Sequence, residues 1–262
     1  MSKQDPEILI VGAGAMGALF GSILFEKGRD VVLYDTDTAH IKAIQENGLK
    51  IEGFGGNRSV SIPATTDPGL LNSAELLLFQ CKAPGTRVAA QSVKHLIKEH
   101  SICISFQNGL GNEELISEEL GQKHVLGGLT AMAAVLLGPG KLQDFSRVPS
   151  HIGEMYGGIS ERTESIASRL TESGLETHVS ENIRYDIWKK LLGNISMSAL
   201  SGLTNLTSAF VNAVPELKSI SLQAMEEALE VAKACGIELE PVSYTHLRAH
   251  ETLRYLVCRL LL

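Results

Sequence analysis

The sequence has no closely spaced cysteine pair: its four cysteines, Cys81, Cys103, Cys235 and Cys258, lie far apart along 262 residues. Structural zinc sites and the disulfide frameworks of small secreted domains need cysteines at short, regular spacings. The sequence therefore predicts neither a metal site nor a disulfide scaffold. Isolated thiols fit a reducing compartment, and we expect a cytoplasmic protein.

An excess of positive charge is also missing, because 23 Lys and Arg residues stand against 30 Asp and Glu residues, a formal net charge of -7. A chain of this sign has no general attraction to nucleic-acid phosphates or to anionic lipid, so nucleic acid is not an expected partner. Internal repeats and linkers rich in Pro, Gly or Ser are absent as well. The length and a 44% hydrophobic content predict two closely packed globular domains with a cleft between them.

One long uncharged run, residues 8–25, approaches the roughly 20 residues that a membrane span requires. A signal peptide would begin with positive charge, whereas Asp5 and Glu7 precede this run, and four glycines, three of them at tight spacing, interrupt it. We therefore predict a buried strand, turn and helix, with no membrane association.

Short β-rich segments alternate with helix-length segments through the first part of the chain: VVLYD, ELLLFQC and ICISF are examples of such strands. This alternation predicts a parallel sheet with crossover helices. The run HVLGGLTAMAAVLLGPGKLQDF predicts further strands around a Gly-Pro-Gly turn. From Ser180 onward only helical patterns remain, including a helix that begins at Pro215 and ends before Gly236. We predict an α/β domain over residues 1–180 and a helical domain from 181 to 242.

The segment EILIVGAGAMG places Gly12, Gly14 and Gly17 in a G-x-G-x-x-G pattern directly after a strand. In a dinucleotide-binding fold the first glycine permits a tight turn, the second admits the pyrophosphate, and the third lets helix and strand pack closely. The alternative is a glycine-rich turn used only for packing. The predicted cofactor-binding turn comprises Gly12, Ala13, Gly14, Ala15, Met16 and Gly17.

Asp35 ends the strand VVLYD, 35 - 12 = 23 residues after the first glycine, where an acidic residue can bind the adenosine ribose. Such a carboxylate favours the free hydroxyls of NAD over the extra phosphate of NADP. Thr36, Thr38 and Lys42 could still contact that phosphate. The predicted cofactor is therefore NADP or NAD, with Asp35 favouring NAD.

Two polar residues follow predicted strands, at the edge where open α/β sheets bind ligands. Lys82 follows ELLLFQC, and Asn108 begins the Asn-Gly pair after ICISF. The alternatives are a surface lysine and a plain turn.

Helical geometry separates the two lysines of DIWKKLLGN. Lys189 falls beside Asp186 and reads as a solvated lysine. Lys190 interrupts an otherwise largely apolar stripe, and partial burial there would lower the pKa of its ammonium toward a range useful for proton donation. A lysine at a packing edge can also extend to water, so this alternative stays open. The residues that share the stripe are Ile183, Ile187, Asn194 and Met197.

Together, GAGAMG, CKA, QNGLGN and IRYDIWKKLLGN resemble motifs of the 2-dehydropantoate 2-reductases, or ketopantoate reductases, over roughly residues 8 to 240. The resemblance implies a Rossmann-type parallel-sheet domain followed by an all-helical domain like that of 6-phosphogluconate dehydrogenase. It also implies reduction of a small 2-keto acid, ketopantoate, to pantoate by NADPH in pantothenate biosynthesis.

The resemblance further implies roles for individual residues. Lys190 matches the catalytic lysine that polarises the ketone and protonates the developing alkoxide. Asn108 matches the asparagine near nicotinamide and substrate, and Asn194 matches a substrate-binding asparagine. Lys82 matches the lysine after the fourth strand of the cofactor domain.

The sequence departs from the family in two places. Asp35 and Thr36 stand where members usually carry a basic residue for the NADP phosphate, which weakens the implied NADPH preference. After Val242 we find no match, so we expect residues 243–262 to be an atypical tail and the helical domain to be truncated. The alternative is a divergent native helix. Helical surface exposed by truncation would favour a homodimer. Two other functions stay open: reduction of another small 2-keto acid, or NAD(P) binding with impaired catalysis.

Overall fold

The computed structural model describes residues 5–239 of the chain. This part divides into two compact units, the first ending at Ile183 and the second beginning at Arg184. In chain order, the elements of the first unit are β1 (Ile8–Val11), α1 (Ala15–Glu26), β2 (Val31–Tyr34), α2 (Thr38–Asn47), β3 (Leu49–Gly53), β4 (Arg58–Val60), β5 (Ala64–Thr65), β6 (Leu76–Phe79), α3 (Thr86–Val93), β7 (Ile102–Ser105), α4 (Asn112–Leu120), β8 (Val125–Thr130), β9 (Ala133–Gly138), β10 (Lys141–Ser146), β11 (Ser150–Glu154), α5 (Glu161–Glu172) and β12 (Thr177–Val179).

Eight strands form the main sheet in the order β12-β11-β8-β7-β6-β1-β2-β5. Neighbouring strands are parallel throughout, except that β8 and β11 are antiparallel. Helices α1, α3 and α4 connect parallel neighbours, so the predicted parallel sheet with crossover helices is confirmed. Strands β2, β1, β6 and β7 all end at one edge, which we call the carboxyl edge. Open sheets of this kind bind ligands there.

A second, smaller sheet, in the order β4-β3-β10-β9, lies beside the main one. Two antiparallel hairpins, β3–β4 and β9–β10, are joined by the parallel pairing of β3 with β10, in which Lys50 lies opposite Lys141. Strands β9 and β10 were predicted, with the turn between them at Pro139 and Gly140. Their separation into a second sheet was not, because the pairing joins residues 141 - 50 = 91 positions apart and leaves no local pattern.

Helix α1 is buried on all sides, which explains the uncharged run that resembled a membrane span. Its residues from Gly17 to Leu24 are all buried. The helix packs against β1 and β2 of the main sheet and also against β9 and β10 of the small sheet. A helix enclosed in this way is apolar around its whole circumference. Within residues 5–239, no helix is both long and apolar enough to span a membrane.

The second unit consists of helices α6 (Ile183–Thr204), α7 (Ser208–Ala213) and α8 (Pro215–Ala234). Helices α6 and α8 meet in two apolar clusters, one containing Trp188 with Ala232 and the other Leu192 with Met225. Pro215 lies in the first turn of α8, and Gly236 follows its end with a φ of 76°, as predicted. The predicted tail, residues 243–262, lies outside the described residues and stays a prediction.

Candidate active site

The turn between β1 and α1 has room for nothing larger than glycine at two of its three glycines. Gly12 has a φ of 98°, and a Cβ there would lie 2.4 Å from the backbone nitrogen of Cys81. A Cβ on Gly17 would lie 1.9 Å from the carbonyl oxygen of Gly12. The turn is therefore closed against the loop after β6 on one side and against α1 on the other.

Gly14 differs from its neighbours because its missing side chain leaves open space. A Cβ built there meets no atom of the described residues within 4 Å. Gly14 is also the N-cap of α1, where no described side chain caps the helix and no acidic residue occupies the first turn. An uncapped helix N-terminus with space in front of it suits a phosphate group, since backbone N–H groups and the helix dipole both favour negative charge. The residues present therefore fit the pyrophosphate of a dinucleotide.

Asp35 lies at the end of β2, half-buried, beside the glycine turn. Its Oδ1 accepts a hydrogen bond of 2.9 Å from the backbone N–H of Asp37, which caps α2. Burial and, to a smaller extent, the Asp35 carboxylate raise the pKa of the Cys81 thiol, so Asp35 lies within electrostatic range of Cys81. Lys42, the residue that could contact an NADP phosphate, lies 3.8 Å from Glu46 along α2, and both side chains are exposed.

Lys82 and Asn108 both lie at the carboxyl edge, after the adjacent strands β6 and β7. Their side chains are exposed at this edge. The structure thus brings the glycine turn, Asp35, Lys82 and Asn108 to one edge of one sheet, which is what a shared cofactor site requires.

A hydrogen-bonded group under this edge escaped the sequence analysis. The Nε2 of Gln107 donates to the carbonyl oxygen of Cys81 at 2.8 Å and to the Thr86 hydroxyl at 2.7 Å. Thr86 in turn contacts the Asn112 side chain at 3.0 Å, and Asn112 donates to the carbonyl of Asn108 at 3.2 Å. Gln107 and Asn112 are the first and last residues of the QNGLGN motif, which is the signal that could have indicated this group.

One carboxyl group near the site is buried too deeply to take part in proton transfer to a ligand. Glu113, in the first turn of α4, is 3% exposed, and burial raises its pKa to about 7. A proton donor must come within hydrogen-bonding distance of its acceptor, and a group enclosed by the protein cannot. Among residues 5–239, no group of three or more His, Cys, Asp or Glu side chains is arranged to hold a metal ion.

A separate hollow at the opposite end of β8 and β11 is lined by Lys123, Tyr156 and Arg162. The Nε of Arg162 donates to Glu154 at 2.6 Å, and the same guanidinium also bonds the carbonyl of Lys123. Its charge is therefore already used within the protein. We place the candidate site at the carboxyl edge instead.

Within the second unit, Lys190 and Asn194 lie one turn apart on α6. Lys190 is half-buried, and burial lowers its pKa to about 8, whereas Lys189 is exposed. Trp188 and Leu192, which pack against α8, each lie two positions from Lys190 and so on the far side of the helix. Asn194 is half-buried on the face that carries Lys190.

Two family models match the chain. One, described as ketopantoate reductase PanE/ApbA, matches residues 8–157, and the other, described as its C-terminal part, matches residues 182–254. The second match runs past Val242 into the segment expected to be an atypical tail. It includes Lys190 and Asn194.

Several named relatives and solved structures are similar over most of their length. The 2-dehydropantoate 2-reductase of Pyrococcus abyssi is 34% identical over 234 residues, covering 89% of this chain and 76% of the relative. The Lactococcus lactis protein of the same name is 30% identical over 235 residues, covering 89% of this chain and 75% of the relative. A PanE/ApbA family ketopantoate reductase from Ralstonia eutropha is 27% identical with a TM-score of 0.86, covering 96% and 83%. D-mandelate dehydrogenase with NADH and anilino(oxo)acetate is 26% identical with the same TM-score of 0.86, covering 94% and 80%.

Proposed function

The chain belongs to the ketopantoate reductase PanE/ApbA family of NAD(P)-dependent oxidoreductases, and from this membership we propose that it reduces 2-dehydropantoate to pantoate in pantothenate biosynthesis. The observation that carries the proposal is the similarity to relatives named 2-dehydropantoate 2-reductase, which reaches 34% identity over 234 residues. The expected cytoplasmic location and homodimer stay predictions.

The carboxyl edge of the first unit would hold the nicotinamide cofactor, which supplies the hydride when bound. The N-terminus of α1 at Gly14 would bind the pyrophosphate, and Asp35 the adenosine ribose. The exposed Lys82 would add positive charge beside the phosphates, and Asn108 would bind at the nicotinamide end. Each of these residues would hold or orient the cofactor, and none of them would transfer a proton.

Lys190 would supply the proton in this proposal. Hydride addition to a ketone builds negative charge on the oxygen, and a cationic donor at that oxygen both stabilises the charge and delivers the proton. A pKa of about 8 leaves the ammonium mostly protonated at pH 7 and makes it a stronger acid than an exposed lysine. Asn194, one turn further along α6, would bind polar groups of the substrate, as would Asn108.

Turnover by the 262-residue chain tests the proposal directly. We expect loss of nicotinamide absorbance when the purified protein is mixed with 2-dehydropantoate and NADH or NADPH, with pantoate as the product. A folded protein that binds the cofactor but turns over no keto acid would contradict the proposal, and would favour a protein with impaired catalysis.

Reduction of another 2-keto acid is the second candidate, and one comparison favours it. The structure of D-mandelate dehydrogenase with NADH and anilino(oxo)acetate aligns at a TM-score of 0.86. The keto acid that corresponds to mandelate, 2-oxo-2-phenylacetate, is therefore the competing substrate. A higher kcat/KM for that acid than for 2-dehydropantoate would replace the first candidate with the second.

We also propose a preference for NADH over NADPH. The Asp35 carboxylate would face the 2′-phosphate of NADPH, and two negative charges brought together in a partly buried site repel each other. Replacing Asp35 with serine is expected to improve kcat/KM for NADPH by about tenfold and to lower that for NADH. Steady-state kinetics with both cofactors measure the change.

The matched control is Asp30→Ser, which removes an exposed carboxylate from the opposite end of β2. This control should leave the ratio of the two kcat/KM values unchanged. Equal use of NADH and NADPH by the unaltered protein would contradict the role given to Asp35.

A further inference from the structure

We infer that Gln107 and Thr86 are positioning residues of the dinucleotide site, because they join the loop after β6 to the loop after β7 beneath the carboxyl edge. The first loop carries Cys81 and Lys82, and the second, which follows Ser105, carries Gln107 and Asn108. The inference rests on the proposed cofactor site and adds to it two residues that would not touch the cofactor themselves.

Each hydrogen bond of this group has a fixed donor and a fixed acceptor. Gln107 uses both hydrogens of its Nε2, one on the carbonyl oxygen of Cys81 and one on the Thr86 hydroxyl. Rotating the amide by half a turn would place its oxygen 2.8 Å from another carbonyl oxygen, so the orientation is fixed. Since the Thr86 hydroxyl accepts from Gln107, it donates to the Oδ1 of Asn112, which leaves the Nδ2 of Asn112 for Asn108.

Burial makes these bonds costly to break. Thr86 and Asn112 are at most 1% exposed, and Gln107 is 9% exposed. A buried donor or acceptor that loses its partner cannot turn to water, so the cost of removing one member exceeds the net value of the bond. The two loops are therefore held at one separation, unlike loops that are joined only through exposed side chains.

The same residue that Gln107 holds also forms a wall of the glycine turn. A Cβ on Gly12 would lie 2.4 Å from the Cys81 nitrogen, and Gln107 bonds the Cys81 carbonyl. Movement of this loop would change the surface next to Gly12 and the position of Lys82. A site held in its binding geometry before the ligand arrives loses less free energy on binding. Loss of the hydrogen bonds should thus lower cofactor affinity.

A pair of substitutions at Thr86 separates positioning from general stability. Thr86→Val keeps the volume but removes the hydroxyl, and we expect the Kd for NADH to rise about tenfold. Thr86→Ser keeps the hydroxyl but loses a buried methyl group, so its thermal midpoint should fall while its Kd stays within about twofold of the unaltered protein. Fluorescence titration with NADH and thermal unfolding measure the two effects. If affinity merely followed stability, both variants would bind more weakly.

A double-mutant cycle tests whether Gln107 acts through Thr86. Gln107→Met should raise the Kd for NADH by about tenfold, and adding Thr86→Val should raise it by much less than a further tenfold, because both changes break one group of bonds. The control is Gln45→Met, which removes a 2.8 Å bond from a side-chain amide to the carbonyl of Ala64, outside the site. Its Kd should not change.

Three outcomes decide the inference. Coupled losses of affinity at Gln107 and Thr86, with serine restoring affinity, support it. Folded variants that bind NADH as the unaltered protein does, or losses that add independently, overturn it. An unaltered protein that binds no nicotinamide cofactor would instead contradict the proposed function, on which the inference depends.

Discussion

Replacing Lys190 with methionine is expected to lower kcat by about 100- to 10,000-fold, because the variant lacks the group proposed to protonate the substrate oxygen. The same change should raise the free energy of unfolding at pH 7 by about 1–3 kcal/mol, since a lysine whose pKa falls from 10.5 to about 8 is destabilised as a cation. Steady-state kinetics measure kcat, and chemical unfolding measures the free energy of unfolding. NADH affinity should change little.

Lys189→Met is the matched control, because Lys189 is the adjacent, exposed lysine on α6. It should alter neither kcat nor stability by more than small amounts, since an exposed ammonium loses little on folding. A Lys190→Met protein that retains turnover would contradict the proposed proton donor, and a loss of stability would contradict the cost assigned to its charge.

The pH dependence of the unaltered protein follows from the same lysine. The donor must be protonated, so kcat for reduction should decline as pH rises through about 8. Stability should move the other way: the folded-state pKa lies below the unfolded value of 10.5, so the unfolded chain binds the extra proton between these values. The stability contribution of Lys190 therefore increases from about pH 8 upward and is complete above 10.5. Lys190→Met should lack both trends.

Substitutions at Gly17 and Gly14, three residues apart, are expected to have very different effects on stability. Gly17→Ala places a Cβ 1.9 Å from the Gly12 carbonyl oxygen, a contact that only movement of the backbone can relieve. We expect the free energy of unfolding to fall by more than about 3 kcal/mol. Gly14→Val should change it by less than about 1 kcal/mol, because its φ of -61° suits any residue and its Cβ meets no described atom within 4 Å.

The Gly14→Val substitution, mild in its effect on stability, should have a large effect on cofactor binding. The valine side chain at position 14 would fill the space through which a pyrophosphate reaches the N-terminus of α1, and we expect the Kd for NADH to rise by at least about 100-fold. Gly138→Val, on β9, is the control, since a Cβ there also meets no described atom within 4 Å. Calorimetric titration of each folded variant measures the effect. Normal NADH binding by Gly14→Val would show that the glycine turn serves packing alone.

Local patterns predicted the main sheet well, because its strands and helices follow one another along the chain. The glycine spacing and the strand before it placed the turn, and the acidic lead-in at Asp5 and Glu7 argued against a membrane segment. The small sheet had no such pattern. Its central pairing joins Lys50 to Lys141, and the sheet packs on α1 through β9 and β10, which also come late in the chain.

Within the candidate site, the sequence indicated residues whose own type and position suggest chemistry. Lys190 stood out because it interrupts an apolar stripe, and the structure has it half-buried. Gln107 belongs to the QNGLGN motif, but the chain does not show the role of Gln107 or Thr86, since the role of a buried amide depends on the carbonyl that it meets on a different loop. Their contribution depends on the approach of two strand ends, which spacing along the chain does not report.

The small sheet also sets an order of events during synthesis on the ribosome. Helix α1 is complete once residue 26 has emerged, but the strand that pairs with β3 lies 141 - 50 = 91 residues later than its partner. At about 5–20 residues per second, this interval lasts roughly 5 to 18 seconds. Until it ends, the side of α1 that packs against β9 and β10 stays uncovered on the nascent chain. Chaperone binding to the emerging N-terminal segment is the expected consequence, and slower translation would prolong it.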